Sequence, residues 1–413
     1  MGGMNGAGSP LDDARRRRFL QYAGGASALS LSRISRAQTK ASQLRKKLIA
    51  WGWDTAHPAQ IQMNVRKIEA LPFDGIVLSH FKATTGGEDA MFEWRAFGRE
   101  RFERKQLTAT IETLRNIDFR RFTDNFLRFN AQPGDVDWFD DFAPILHNAQ
   151  LWAAVARETR MAGWMFDVED YKQRLFSYNS QKYAKQKSFA HYAHQARLRG
   201  REVMAAIQEG FPNIVILFSL AHSYVNRTAN ASSILHRIDY GLLPAFINGM
   251  IEAAGRMARL IDGQEQAYGY LTPRDYSDGY ENVRRGALAL VPGELRQKYS
   301  QKMEVGVAIW ANYQLAIPVT TSIHWPPHYM APVERLRLFE QNIYHALKSS
   351  DEYAWLYSDQ MGWWEPGFPS PTPDGAIDAI RAARAKLASN EPIGFNLDSV
   401  VANARAKMNA ATK

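Results

Sequence analysis

Leu48-Ile49-Ala50-Trp51-Gly52-Trp53-Asp54, followed after one helical segment by Phe73-Asp74-Gly75-Ile76-Val77-Leu78-Ser79-His80, decides how this chain folds. Each stretch is a near-continuous apolar run that ends in polar residues, the pattern of a strand buried on both faces. Between them, Ile61, Val65, Ile68 and Leu71 recur at helical spacing over Ala59 to Leu71. The unit therefore reads strand, helix, strand, and a helical crossover is what two parallel strands need.

The same rhythm continues along the chain. Strands are expected at Phe122–Phe129, Gly163–Glu169, Asn213–His222, Arg259–Glu265, Glu304–Trp310 and Glu352–Ser358. Helices are expected at Gln106–Asn116, Ile145–Thr159, Lys182–Glu209, Leu243–Ala258, Tyr276–Leu290, Pro332–Ser349 and Asp374–Ser389. Eight strands alternating with helices predict an α/β fold, a (β/α)8 TIM barrel with long βα loops. An open doubly wound sheet is the alternative. No Gly-x-Gly-x-x-Gly or Walker-type loop follows any strand, which weighs against nucleotide-binding folds.

The amino terminus reads as a targeting segment. Arg15 to Arg18 precede Phe19 and Leu20, a mildly apolar stretch runs to Leu31, and Ser35-Arg36-Ala37 offers small residues for cleavage before Gln38. Basic start, apolar middle and small-residue exit are the parts of an export signal, and this one resembles bacterial twin-arginine signals. The expected organisation is a signal over residues 1–37 and a single (β/α)8 domain over residues 38–413, placed in the periplasm or outside the cell. The apolar middle is shorter than the ~20 residues a membrane span needs, so no stable membrane anchor is expected.

Composition narrows the function classes. Hydrophobic residues make up 46% of the chain and aromatic residues 12%, enough for a large core. The formal charge is +9, but residues 1–37 hold six Arg and two Asp, so the rest carries about +5, spread thinly. A dispersed excess of this kind is a solvated basic surface rather than a nucleic-acid footprint. There is no cysteine, which excludes disulfides, a thiol nucleophile and Cys-ligated metal.

Barrel active sites lie at the C-terminal ends of the strands. Read there, the sequence places Asp54, His80, Asn125, Asp167 with Glu169, His222, Asp262 with Glu265, Trp310 and Asp359. The sharpest group is Gly163-Trp164-Met165-Phe166-Asp167-Val168-Glu169. Two carboxylates two apart on a strand share a face, and neighbouring like charges raise one pKa into the range of a general acid. A second group, Asp262-Gly263-Gln264-Glu265-Gln266-Ala267-Tyr268-Gly269-Tyr270, adds a carboxylate pair and tyrosines. Glycosidic bond cleavage uses two such carboxyl groups, about 5–5.5 Å apart for retention and about 6.5–9.5 Å for inversion. The expected catalytic set is Asp167, Glu169 as general acid, and Glu265 as nucleophile or base. Trp53, Asp54, His80, His222, Asp262, Tyr270, Trp310, Asp359 and Trp363 are the expected sugar-binding set, with Trp51 and Trp355 expected in the core. Aromatic faces stack on sugar rings, and exposed tryptophan is otherwise costly.

Asp167-x-Glu169 at the end of the fourth strand resembles the motif of chitinase-type glycoside hydrolases. The resemblance implies Glu169 as acid and Asp167 as the residue orienting an acetamido group. The longer signature wants Asp where Ala162 and Met165 stand. The layout of the whole chain is similar to exported bacterial glycoside-hydrolase-like barrels. The carbohydrate reading needs no cofactor. Its rivals are a non-catalytic carbohydrate-binding barrel and a metal-dependent hydrolase or lyase. For the last, His80, His222, His324 and His328 are the available imidazoles, with no His-Glu-x-x-His among them.

Overall fold

The computed structural model describes residues 46–52, 57–227, 231–318, 325–359, 361–363 and 370–411. Eight parallel strands form the centre. They are β1 (Lys47–Gly52), β2 (Gly75–Leu78), β3 (Phe126–Asn130), β4 (Gly163–Asp167), β5 (Val215–Phe218), β6 (Arg259–Asp262), β7 (Met303–Val305 continuing as Val307–Trp310) and β8 (Tyr353–Ser358). Neighbouring strands pair in sequence order, and β1 pairs with β8 from Lys47↔Tyr353 to Gly52↔Ser358. Closure runs through β7. Its first half pairs with β6 and its second half with β8. Gly306 joins the halves, donating its N–H to Asp262 O at 2.8 Å. A Cβ at Gly306 would meet Ile261 Cγ2 at 2.8 Å, so only glycine lets the strand change partners there. The expected TIM barrel is the fold found.

The outer ring consists of α1 (Pro58–Ile68), α2 (Thr108–Arg115), α3 (Ala143–Glu158), α4 (Phe189–Gly210), α5 (Leu243–Ala253), α6 (Pro273–Arg284), α7 (Pro332–Ser349) and α8 (Ala376–Ala388). On α1, Ile61, Val65 and Ile68 are the buried face, as the periodicity requires. Local chemistry sets the boundaries. Thr272 caps α6, its Oγ1 accepting from Asp275 N while the Asp275 carboxylate accepts from Thr272 N at 2.8 Å. Helices α4 and α5 cross in close contact because Gly200 and Gly249 lack side chains there: an added Cβ would sit 2.0 Å from Phe246 O and 1.9 Å from Arg197 O.

Several boundaries differ from the expectation. Strand β3 starts at Phe126 rather than Phe122, because the Asn125 side chain turns back to bond Phe122 O and Ile76 N before the strand begins. Strand β5 stops at Phe218, and His222 opens a short helix, His222–Val225. A hairpin, Lys82–Thr85 with Glu88–Met91, fills the loop after β2. Beyond the barrel, α9 (Asp398–Ala411) closes a second apolar cluster of Leu271, Met330, Leu338, Leu397, Val401 and Ala404. Among the described residues no helix is long and apolar enough to cross a membrane. The expected signal over residues 1–37 lies outside the described residues, as do Trp53, Asp54 and His324.

Candidate active site

A cavity of about 290 Å³ opens at the C-terminal ends of the barrel strands. Strand β1 contributes Trp51 and Gly52, β3 contributes Arg128, β7 contributes Trp310 and β8 contributes Tyr357. Glu169 and Tyr171 come from the loop after β4, and Glu265 and Tyr268 from the turn after β6. Two carboxyl groups thus face one space whose walls are aromatic. Trp51 and Tyr357 meet edge to face at 5.6 Å, Tyr268 stacks on Tyr357 at 5.7 Å, and Trp310 lies 5.6 Å from Tyr268.

The floor of the site is a buried ion pair. Arg128 is 3% exposed and Asp167 is fully buried, with Nη2 and Oδ2 at 2.5 Å. Tyr171 donates its hydroxyl to the same Oδ2 at 3.0 Å, while Oδ1 accepts from Ser219 Oγ at 3.3 Å and Glu169 N at 3.2 Å. The Arg128 guanidinium also lies 4.9 Å from the Trp94 ring and 5.4 Å from the Trp51 ring. Asp167 therefore spends its lone pairs on holding other groups, and a charge buried this deeply requires such partners. Strand β4 ends at Asp167. Glu169 lies past that end and reaches the cavity, so the two carboxylates do not continue along one strand face as the sequence spacing suggested.

Electrostatics single out the two cavity carboxyls. Burial, then the negative charge of Asp167, pushes Glu169 above the ordinary carboxylate range; the Tyr171 hydroxyl and Arg128 oppose the shift. Glu265 is pushed well above that range by burial, then by the charges of Glu169 and Asp167, with Arg128 again opposing. Glu265 Oε2, Trp51 Nε1 and Trp310 Nε1 are buried polar atoms with no hydrogen-bond partner among the described residues. All three belong to residues lining this cavity. A wall with unmet donors and acceptors is built to bind something polar.

Other residues singled out from the sequence lie elsewhere. His222 is fully buried, its Nε2 bonded to Asn248 Oδ1 at 2.9 Å, and burial lowers its pKa to about 4. Asp262 is also fully buried and accepts from Ser223 N at 2.9 Å and Ser223 Oγ at 2.7 Å, anchoring the turn after β5. Trp363 is 5% exposed and donates Nε1 to Ser358 Oγ at 2.9 Å. Asp359 exchanges two hydrogen bonds with Asn312, and Tyr270 packs edge to face on Tyr276 at 5.3 Å. His80 holds a left-handed backbone at φ 62°, donates its N–H to Glu93 Oε1 and stacks on His57 at 4.4 Å. None of these six lines the cavity. Among the described residues no group of three His, Asp or Glu is gathered in a way that could hold a metal ion.

Sequence reading passes over Arg128, Tyr171 and Tyr357, and takes Trp51 for core. Arg128 does leave a signal: it is a lone cation inside the apolar run Phe126-Leu127-Arg128-Phe129, and a charge inside a barrel strand needs a countercharge. Trp51 is 4% exposed and part of the core, yet one edge of it forms the cavity wall.

No family model and no curated protein matches the chain. Solved structures with a similar chain path include a Thermobaculum terrenum O-GlcNAc hydrolase (9% identity, TM-score 0.41, covering 88% of this chain and 63% of that one). A GH5-4 broad-specificity endoglucanase from an uncultured bacterium is another (10% identity, TM-score 0.44, covering 84% and 96%). A third is a Thermobacillus composti GH10 xylanase (10% identity, TM-score 0.40, covering 84% and 98%). This chain spans 63% of the length of the first. The chemistry of the site rests on its own residues.

Proposed function

We propose that this protein is an exported glycoside hydrolase that cleaves glycosidic bonds of an oligo- or polysaccharide with Glu169 and Glu265 as its carboxyl pair. One observation carries the reading: two carboxyl groups, both held above their usual range, face one aromatic-walled cavity at the mouth of the barrel. Glycosidic cleavage needs such a pair, one acid for the leaving oxygen and one carboxylate for attack or for activating water. Trp51, Trp310 and Tyr357 would stack on the sugar, and the unmet N–H groups of the two tryptophans would meet its hydroxyls. Arg128 and Asp167 are positioning residues, setting Tyr171 and the Glu169 backbone from below. Export of the chain rests on the Arg15–Leu20 motif.

The spacing motif assigns the acid to Glu169. Glu265, its Oε2 buried and unbonded among the described residues, is the other candidate for that role. One experiment tests both the reading and the roles. Wild type, Glu169→Gln and Glu265→Gln are assayed on polysaccharides and on aryl glycosides with good and poor leaving groups. Each variant should lose roughly 10²–10⁴ in kcat. The acid variant keeps activity on the good leaving group, which departs without protonation. Unchanged hydrolysis of the polysaccharides and the poor-leaving-group glycosides in either variant refutes the pair, and glycan binding without any wild-type cleavage replaces the hydrolase with a carbohydrate-binding barrel.

A further inference from the structure

A second cavity, about 310 Å³, has one wall residue, Tyr240, hydrogen-bonded to the loop after β4 that carries Glu169. Tyr224, Arg227, Arg237, Asp239 and Tyr240 form its wall. Tyr240 Oη accepts the backbone N–H of Asp170 at 3.0 Å, and Asp170 directly follows Glu169, which lines the catalytic cavity. Glu169 lines the catalytic cavity, and its neighbour Asp170, one backbone step of about 3.8 Å away, bonds a wall residue of the second cavity.

The chemistry of the second cavity differs from the first. Arg227 lies 3.9 Å over the Tyr224 ring, and Arg237 donates Nε to His236 Nε2 at 3.0 Å. Among the described residues, neither guanidinium is paired with a carboxylate. The one carboxylate on the wall, Asp239, is already engaged by Arg174 at 3.2 Å. Next to Tyr240, burial and then the Asp239 charge push Asp170 up to about 7. Tyr224 and Tyr240 meet edge to face at 5.4 Å, presenting ring surface beside the two cations. Guanidinium forks match carboxylate and sulfate geometry, and ring faces match sugar faces.

We infer that the second cavity, built on Arg227, Arg237, Tyr224 and Tyr240, is a subsite for a sugar residue bearing an anionic group, a carboxylate or a sulfate, on a glycan whose neighbouring residue occupies the catalytic cavity. The inference deepens the glycan reading of that cavity and rests on it for the identity of the ligand as a sugar.

The test measures binding by calorimetry in the Glu169→Gln background, which keeps turnover out of the signal. The probes are hexamers of three kinds: a neutral glucan, a polyuronate and a sulfated galactan. An acidic hexamer should bind at least about tenfold more tightly than the neutral one, with a preference that shrinks as salt rises. Arg227→Ala with Arg237→Ala should erase that preference while leaving the Tm and the neutral-hexamer affinity unchanged. Which acidic hexamer binds decides between carboxylate and sulfate. Equal or tighter binding of the neutral hexamer overturns the inference, and so does a preference that survives the double substitution. The two readings fail separately: wild type that binds acidic hexamers through Arg227 and Arg237 but cleaves nothing loses the hydrolase and keeps the subsite, whereas cleavage indifferent to both arginines does the opposite.

Discussion

Removing the positive charge beneath the site, by Arg128→Met, tests whether the Arg128–Asp167 pair organises the mouth of the barrel. Both partners are buried, 3% and 0% exposed. Breaking a buried pair from one side leaves the other charge uncompensated, at about 3–5 kcal/mol. Asp167 keeps three hydrogen bonds, from Tyr171 Oη, Ser219 Oγ and Glu169 N. The expected loss therefore lies at the lower end, about 3 kcal/mol. With an unfolding entropy of about 2.1 cal/mol/K per residue over roughly 370 residues, that is a fall of about 4 °C in Tm. Methionine keeps most of the packing against Trp51 and Trp94, so the charge is the main thing removed. Urea unfolding of Arg128→Met, Asp167→Asn and the double variant completes the cycle. The double variant carries no unpaired charge and should be at least about 2 kcal/mol more stable than the sum of the single losses allows. A single-variant loss below about 1 kcal/mol, or strict additivity in the cycle, would refute the reasoning. Losing Arg128 also removes the charge that opposes the upward shifts of Glu169 and Glu265. The alkaline limb of any hydrolytic activity should then move to higher pH.

His222 gives a pH prediction of defined sign. Its folded pKa, about 4, lies below the ordinary 6.5, so the unfolded chain binds the proton more readily, and stability present above pH 6.5 is lost as pH falls toward 4. At pH 5 the loss is about 2 kcal/mol, from 1.36 kcal/mol per unit. His222→Gln, which keeps a donor for Asn248, should show a drop between pH 7.5 and 5 smaller by that amount in urea titrations; an identical drop counts against it. Gly249→Ala places a Cβ 1.9 Å from Arg197 O and should cost about 1–3 kcal/mol by forcing α4 from α5. Gly269→Ala, with nothing within 4 Å of the new Cβ, should stay within about 0.5 kcal/mol, and calorimetric Tm values that rank the pair the other way reject the packing explanation.

The barrel was legible because its signal is local and repeated. Apolar runs such as Leu48–Ala50 and Ile76–Leu78 are fully buried strands, and Ile61, Val65 and Ile68 form the buried face of a helix. Register and period are properties of neighbouring residues. Part of the site was legible for the same reason, since the ends of barrel strands are known once the strands are: Glu169, Glu265 and Trp310 are found that way and line the cavity. His222, Asp262 and Trp363 stand at comparable sequence positions and look equally functional. Their side chains are instead turned to Asn248, Ser223 and Ser358, away from the cavity lining.

By itself, then, the sequence determined the alternation of strand and helix, the count of eight, the absence of thiol chemistry and the short menu of carboxylates at the strand ends. The tertiary structure decided which of those groups are free to act. Partners for buried polar groups come from distant segments: Arg128 for Asp167, 39 residues away, and Gly263 O for Trp355 Nε1, 92 residues away. Whether a carboxyl is a structural anchor or a titrating acid depends on those partners and on burial, which no local pattern encodes. Asp167 and Glu169 stand two residues apart, and only the folded barrel makes one the floor of the site and the other its wall.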